Sequence, residues 1–133
     1  MTPPNQAVLF VLKADEDIHV LSYLLTDKDT TDAIWGFHAQ QATEKLLKAM
    51  LTDFGIAFPF THRLLQLADL LTDKHHPVDA RFDSLLDLTP FAVEYRYSML
   101  PVGPNDPPLD RQTLLDSLRD FRHAVARQVK APT

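Results

Sequence analysis

The stretch from Thr31 to Phe54, TDAIWGFHAQQATEKLLKAMLTDF, is a long run free of proline and rich in strong helix formers, and it constrains the fold more than any other part of the chain. At about 100° per residue, Phe37, Ala42, Leu46, Leu47, Ala49, Met50, Leu51 and Phe54 spread over most of a helix's circumference. A helix that is apolar nearly all round belongs in the middle of a bundle. What remains is a narrow polar column of His38, Gln41, Lys45 and Lys48, with Glu44 on its flank. Either these side chains are placed to serve a site, or they are the ordinary solvent face with Glu44 and Lys48 as an i,i+4 pair. Because the other faces are needed for a core, the first reading predicts that Lys45 and Gln41 face a cleft or a subunit seam.

The remaining elements follow from periodicity and punctuation. Met1 to Pro4 reads as a tail. A first helix runs from Asn5 to about Leu25, with apolar positions from Val8 to Leu25, Ala14 allowing close packing, and Asp15, Glu16 and Asp17 as a charged interruption on its wet side. Thr26 to Thr30 is a short polar connection, which makes the first two helices an antiparallel hairpin, and Thr30, Thr31 or Asp32 caps the second. Gly55 stands where a left-handed C-cap residue belongs, and Phe58-Pro59-Phe60 is extended. Thr61 caps a third helix, His62 to about Thr72. Asp73 to Pro77 is a loop whose His75 and His76 are solvated. Val78 to Leu88 and Phe91 to Met99 form a broken fourth helix, with Thr89 as N-cap and Pro90 as first residue of the restart. Leu100 to Leu109, with four prolines and a glycine, crosses the surface irregularly, and Asp110 caps a last helix to about Val129. No stretch alternates as a strand would. The expected architecture is an all-α, mostly up-and-down bundle of four to five helices in one domain, residues 1–133.

Composition narrows the functions open to such a bundle. At 133 residues the chain can bury a real core without staples. A net charge of −5 with no basic run argues against broad, indiscriminate binding of nucleic acid, though a local basic site is still allowed. The absence of cysteine removes disulfides, thiolate metal sites and Cys nucleophiles together, and fits a reducing interior. The longest apolar run, Ala7 to Leu12, is far short of a membrane span, and MTPPNQ lacks the positive region of a signal peptide, so a cytoplasmic location is expected. No Gly-rich phosphate loop, nucleophile elbow or His-Glu-x-x-His helix is present, and no three metal ligands stand at suitable spacing, so neither a metal nor a cofactor is expected.

Three polar groups stand out from the apolar pattern. The first is the central column. The second is His62-Arg63, at a predicted helix start where free N–H groups and the dipole favour an anion; the competing reading has His62 merely packing beside Phe60. The third is Glu94-Tyr95-Arg96-Tyr97, in which a guanidinium between tyrosines suits a phosphate with a base stacked beside it, or else an inter-helix salt bridge.

Taken in order, Phe37-His38-Ala39-Gln40-Gln41-Ala42-Thr43-Glu44-Lys45-Leu46-Leu47-Lys48-Ala49, then Thr61-His62-Arg63-Leu64, then Tyr95-Arg96-Tyr97 resemble the HEPN family, named for its spread across higher eukaryotes and prokaryotes. That family shows a helix reading close to FHAQQAAEKxLKAxL, a T-H-x-L, and an arginine followed by tyrosine near the end of the fourth helix. The resemblance covers roughly Lys13 to Met99. It implies a helical bundle, commonly a homodimer, often encoded beside a minimal nucleotidyltransferase in a toxin and antitoxin pair. Many members are metal-independent ribonucleases whose signature is an arginine followed four to six residues later by histidine. Here Arg96 is followed by Tyr97-Ser98-Met99-Leu100-Pro101-Val102, with no histidine. The resemblance therefore implies binding of a nucleotide or RNA, with His38, Gln41, Lys45, Lys48, His62, Tyr95, Arg96 and Tyr97 as the candidate ligand-binding residues. The phosphates would be met by Lys45, Arg96 and His62. The alternatives are a ribonuclease with a displaced acid or base, and a non-catalytic interaction module.

Overall fold

A computed structural model of the chain describes residues 5–92 and 108–132. Among them are five α-helices and no strand: α1 (Gln6–Tyr23), α2 (Asp32–Asp53), α3 (Leu64–Asp73), the single turn α4 (Asp83–Leu86) and α5 (Arg111–Val129). Short 3-10 turns at Ala80–Phe82 and Thr89–Phe91 flank α4. The all-α bundle expected from the sequence is what forms. The tail 1–4, residues 93–99 of the expected fourth helix and residues 100–107 of the proline-rich loop lie outside the described residues.

Each long helix starts where a short polar side chain can occupy a free amide. Asn5 accepts from Ala7 N at 2.9 Å, Thr31 from Ile34 N at 3.2 Å, and Asp110 from Thr113 N at 3.1 Å. The Thr113 amide, and then the Thr113 hydroxyl, hold the Asp110 carboxyl below the usual carboxylate value, against a small opposing effect of burial. A pKa lowered on folding stabilises the folded state above the ordinary carboxylate range, so this cap acts at neutral pH and is lost in acid. Three of the C-termini, those of α2, α3 and α5, close through a residue in the left-handed conformation, and α2 shows the full Schellman pattern. Ile56 N donates to Leu51 O at 2.8 Å and Gly55 N to Thr52 O at 3.1 Å, with Gly55 at φ +69°. The ends of α3 and α5 repeat this with His75 (φ 66°) and Lys130 (φ 60°) in the left-handed position.

Helix α2 is the axis of the bundle: α1, α3, α5 and the Thr89–Phe91 turn all pack on it. Ala7 and Ala14 on α1 and Ala39, Ala42 and Ala49 on α2 are fully buried, and their small side chains let the α1–α2 hairpin close tightly. Trp35, also fully buried, donates from Nε1 to the Leu21 carbonyl at 3.2 Å, one of the carbonyls that α1 leaves free at its end. At Gly36 an added Cβ would lie 2.5 Å from Cδ1 of Phe91, so the Thr89–Phe91 turn rests directly on the α2 backbone. Among the described residues no buried side-chain nitrogen or oxygen lacks a partner, and no helix is long and apolar enough to cross a membrane.

Two boundaries differ from the sequence-based expectation. Helix α3 begins at Leu64 rather than His62, because the Thr61 hydroxyl accepts from Arg63 N at 3.1 Å and turns the chain once more before the helix starts. Thr89 does not cap the turn that follows it. Its hydroxyl accepts from Leu64 N at 3.1 Å, supplying the start of α3 from across the fold, while the region 78–91 breaks into three short pieces.

Helix α5 is fixed at its first residue. Arg111 donates from Nε and Nη2 to Asp32 Oδ1 at 3.1 Å each, from Nη1 to the Leu24 and Asp27 carbonyls at 3.2 Å each, and from Nη2 to the Thr30 carbonyl. All of its donors are thus spent on the α1–α2 connection and the first residue of α2, and Leu109 N adds a bond to Asp32 Oδ2 at 2.9 Å. Further along, Arg122 forks onto Asp15 at 2.8 and 2.9 Å, fastening α5 to α1. Arg111→Ala leaves Asp32 and three carbonyls without these bonds, and is expected to lower stability by about 2–4 kcal/mol, read as a shift of urea midpoint at unchanged slope. A loss below about 0.5 kcal/mol would show that α5 is held by its apolar face alone.

Candidate functional site

The column on α2 is built around two carboxylates that the apolar packing would otherwise exclude. Glu44 is 5% exposed and Asp17, on α1, is 8% exposed. Neither carboxylate tolerates burial without partners. Asp17 accepts from Lys45 Nζ at 2.6 Å on Oδ2 and from His38 Nδ1 at 3.0 Å on Oδ1. Glu44 accepts from Lys48 Nζ at 3.0 Å on Oε2, and on Oε1 from His62 Nδ1 at 2.8 Å and Gln40 Nε2 at 3.2 Å. The arrangement occurs twice along one helix: a buried carboxylate, a lysine and a histidine.

Two glutamines join and complete the set. Gln40 Nε2 also donates to the His62 carbonyl at 3.0 Å, and Gln41 Nε2 donates to Gln40 Oε1 at 2.8 Å. The backbone of His62 and its ring are therefore both tied to α2, which positions the extended segment 56–63 along the helix. On that segment Phe58 and Phe60 lie under the Lys48 ammonium at 5.8 and 6.0 Å from their ring centroids, and the Phe60 and His62 rings meet edge to face at 5.5 Å.

This geometry does not fit an ordinary solvent face. The Glu44–Lys48 pair exists, but with side chains 6% and 13% exposed it is no solvent face. Gln41 and Lys45 are half-buried, with Lys45 turned into the α1–α2 seam. His38, Gln41, Lys45, Lys48 and His62 are brought together, while Tyr95, Arg96 and Tyr97 lie outside the described residues. His62 is not at a helix N-terminus. It precedes the start of α3, and the first two amides beyond it are taken by Thr61 and Thr89 rather than open to an anion.

Asp17, Gln40 and the partnership of Glu44 with His62 are the site residues that sequence reasoning missed. For Asp17 a signal was available: it falls on the same face of α1 as the buried Ala14 and Leu21, three and four residues away, while Asp15 and Glu16 do not. His76, expected to be merely solvated, is exposed yet stacks flat on Phe54 at 3.7 Å and 6°. Grooves lined by described residues hold none of the column's side chains. One of about 690 Å³ runs between α3 and residues 86–90, and its rim of Asp69, Asp73 and Asp87 has the wrong sign for a phosphate.

If the Glu44 cluster is the structural support of the column, removing one member strands another. Glu44→Ala leaves Lys48 charged and nearly buried, and is expected to cost about 3–5 kcal/mol in denaturant unfolding. Replacing Glu44 and Lys48 together by leucine is expected to recover most of that loss. Single and double variants of equal stability would show that burial of the pair is of no energetic consequence.

The chain matches the family model described as HEPN domain over residues 7–128. No curated protein and no solved structure matches it. The match takes in nearly all of α1 and α5, the whole of α2 with the carboxylate clusters along it, and the turn into α3, and on that coverage this chain belongs to the HEPN family.

Proposed function

We propose that this protein binds a nucleotide or a single strand of RNA through the α2 column and its surroundings, as a homodimer in the cytoplasm, acting with a minimal nucleotidyltransferase in a toxin and antitoxin pair. Membership of the HEPN family supports a function connected with nucleotides or RNA in general. The observation that carries the finer reading is the column itself, where His38, Gln41, Lys45, Lys48 and His62 stand in one half-buried strip. Arg96, with Tyr95 and Tyr97 beside it, joins these residues on the strength of the sequence resemblance. Lys45 and Lys48 are already balanced by Asp17 and Glu44, so in this reading the phosphate is met chiefly by Arg96, in the role that the resemblance implies for it.

One observation favours a second reading, a metal-independent ribonuclease. His38 and His62 each hold Nδ1 on a carboxylate, which orients the ring and leaves Nε2 as the atom that can exchange a proton with a ligand. Fluorescence anisotropy with a labelled RNA decamer tests the first reading. Binding is expected to weaken at least tenfold in Arg96→Ala, with a shallow dependence on salt, because few phosphates are contacted. RNA recovered intact supports binding, cleaved RNA supports the second reading, and equal affinity of wild type and Arg96→Ala removes Arg96 from the site.

The dimer rests on surplus apolar surface. The sequence holds apolar residues beyond what one small core needs around Phe91, Tyr95 and Met99 and at Val8 to Leu12; of these, Phe91 packs on α2 and Val8 joins the core, whereas Leu9 and Leu12 stay exposed on α1. Light scattering at micromolar concentration is expected to give twice the chain mass, and Leu12→Asp or Met99→Asp to halve it. A monomeric wild type, or a dimer indifferent to both changes, contradicts this.

A further inference from the structure

We infer that Phe60 is a stacking platform for a nucleobase, at the end of the α2 column where Lys48 and His62 stand. The inference rests on the nucleotide- or RNA-binding reading and specifies how one end of that ligand is held.

Phe60 is 90% exposed, the most open of the large apolar side chains among the described residues. A ring left in water forgoes the stabilisation that burial would bring, so its position is informative when the backbone cannot simply turn it inward. Here the backbone is fixed on both sides. Pro59 restricts the preceding residue, and two residues on, the His62 carbonyl and ring are bonded to Gln40 and Glu44 of α2. Its neighbour Phe58, two residues back on the same extended segment, is half-buried and packs against the core. The segment thus sinks one aromatic ring and holds the next one out.

What surrounds the ring selects its occupant. Lys48 Nζ lies 6.0 Å from the Phe60 centroid, the His62 ring meets it at 71°, and Arg63, also exposed, has no carboxylate in salt-bridge reach among the described residues. Lys48 is balanced by Glu44, so the charge left beside the ring is that of Arg63, and an exposed ring next to an exposed guanidinium is charge-complementary to a base carrying phosphate. It is poorly suited to an apolar protein surface, which would have to desolvate that cation. Every nucleobase offers a π-face, so the contact fixes a base without choosing among the four. Arg63 also lines the groove that holds Asp69, Asp73 and Asp87, whose carboxylates disfavour a phosphate on that side.

The test compares two probes of equal length and charge, a uridylate decamer and an abasic ribose-phosphate decamer. Wild type is expected to bind the base-bearing probe more tightly by between about fivefold and a hundredfold. Phe60→Ala, whose side chain touches little, is expected to melt like wild type and to lose that preference while keeping its affinity for the abasic probe. Phe60→Trp is expected to retain the preference, with an emission quenched by the uridylate probe alone; the single natural tryptophan, Trp35, is fully buried and reports no such change. Equal binding of both probes by wild type, or a Phe60→Ala protein that still prefers the base, overturns the stacking platform while leaving phosphate binding in place. A wild type that binds neither probe overturns the underlying reading and the platform with it. A lower mass for Phe60→Ala in light scattering also overturns it, by assigning the ring to a second copy of the chain.

Discussion

A carboxylate taken out of water must be met by opposite charge or by several hydrogen bonds, and that requirement organises this bundle. Helix α2 is needed for packing on nearly every side, so its polar side chains have no open face to occupy. Glu44 and, from α1, Asp17 are resolved by importing partners: His62 from the segment before α3, and Lys45 and His38 from the column itself. The consequence reaches beyond electrostatics. The His62–Glu44 and His62–Gln40 bonds determine where segment 56–63 lies, and the segment determines where α3 begins and which way Phe60 points. Asp17 likewise sets the register of α1 against α2, since sliding the hairpin by one turn would separate it from both of its partners.

The opposite end of the hairpin is held by a different device with the same logic. The α1–α2 connection turns several carbonyls outward, and a planar guanidinium with five N–H groups can satisfy a cluster of them while still reaching a carboxylate. Arg111 does this as the first residue of α5, with its guanidinium 5.8 Å from the Trp35 ring. Helix α5 is thus anchored at its first residue, while Arg122 on Asp15 and Gln128 on Asp53 follow the same alignment and Phe121, Val125 and Val129 are buried along its second half.

The long elements were legible because a 3.6-residue period sustained over five or six turns leaves little ambiguity. Thr31–Phe54 marked α2 and its caps, and Asn5 and Asp110 marked the starts of α1 and α5. The column was legible as a column. Its chemistry was not, because the partner of a buried charge is chosen in three dimensions. Asp17 stood at the end of a run of acids and read as solvated, and Arg111 drew no reading at all, since its partners are mostly backbone carbonyls that carry no signature in the sequence. Thr89 shows the same limit at a single hydroxyl. Its capping chemistry was readable from its type, but the amide it serves belongs to Leu64, 25 residues earlier. Local pattern specifies which group is needed and leaves open which chain segment supplies it.

The charge balance of the column bears on what kind of binding site it can be. Two lysines meet two carboxylates, so with neutral imidazoles the strip carries no net charge, on a chain whose formal total is −5. Such a surface has little long-range attraction for a polyanion, and a ligand's affinity must come from short-range contacts that need close approach. Stacking on an exposed ring and a fork from one arginine are contacts of that kind. A site of this sort favours a nucleotide or a few residues of a single strand over the continuous backbone of a duplex, whose recognition depends on a run of unbalanced positive charge.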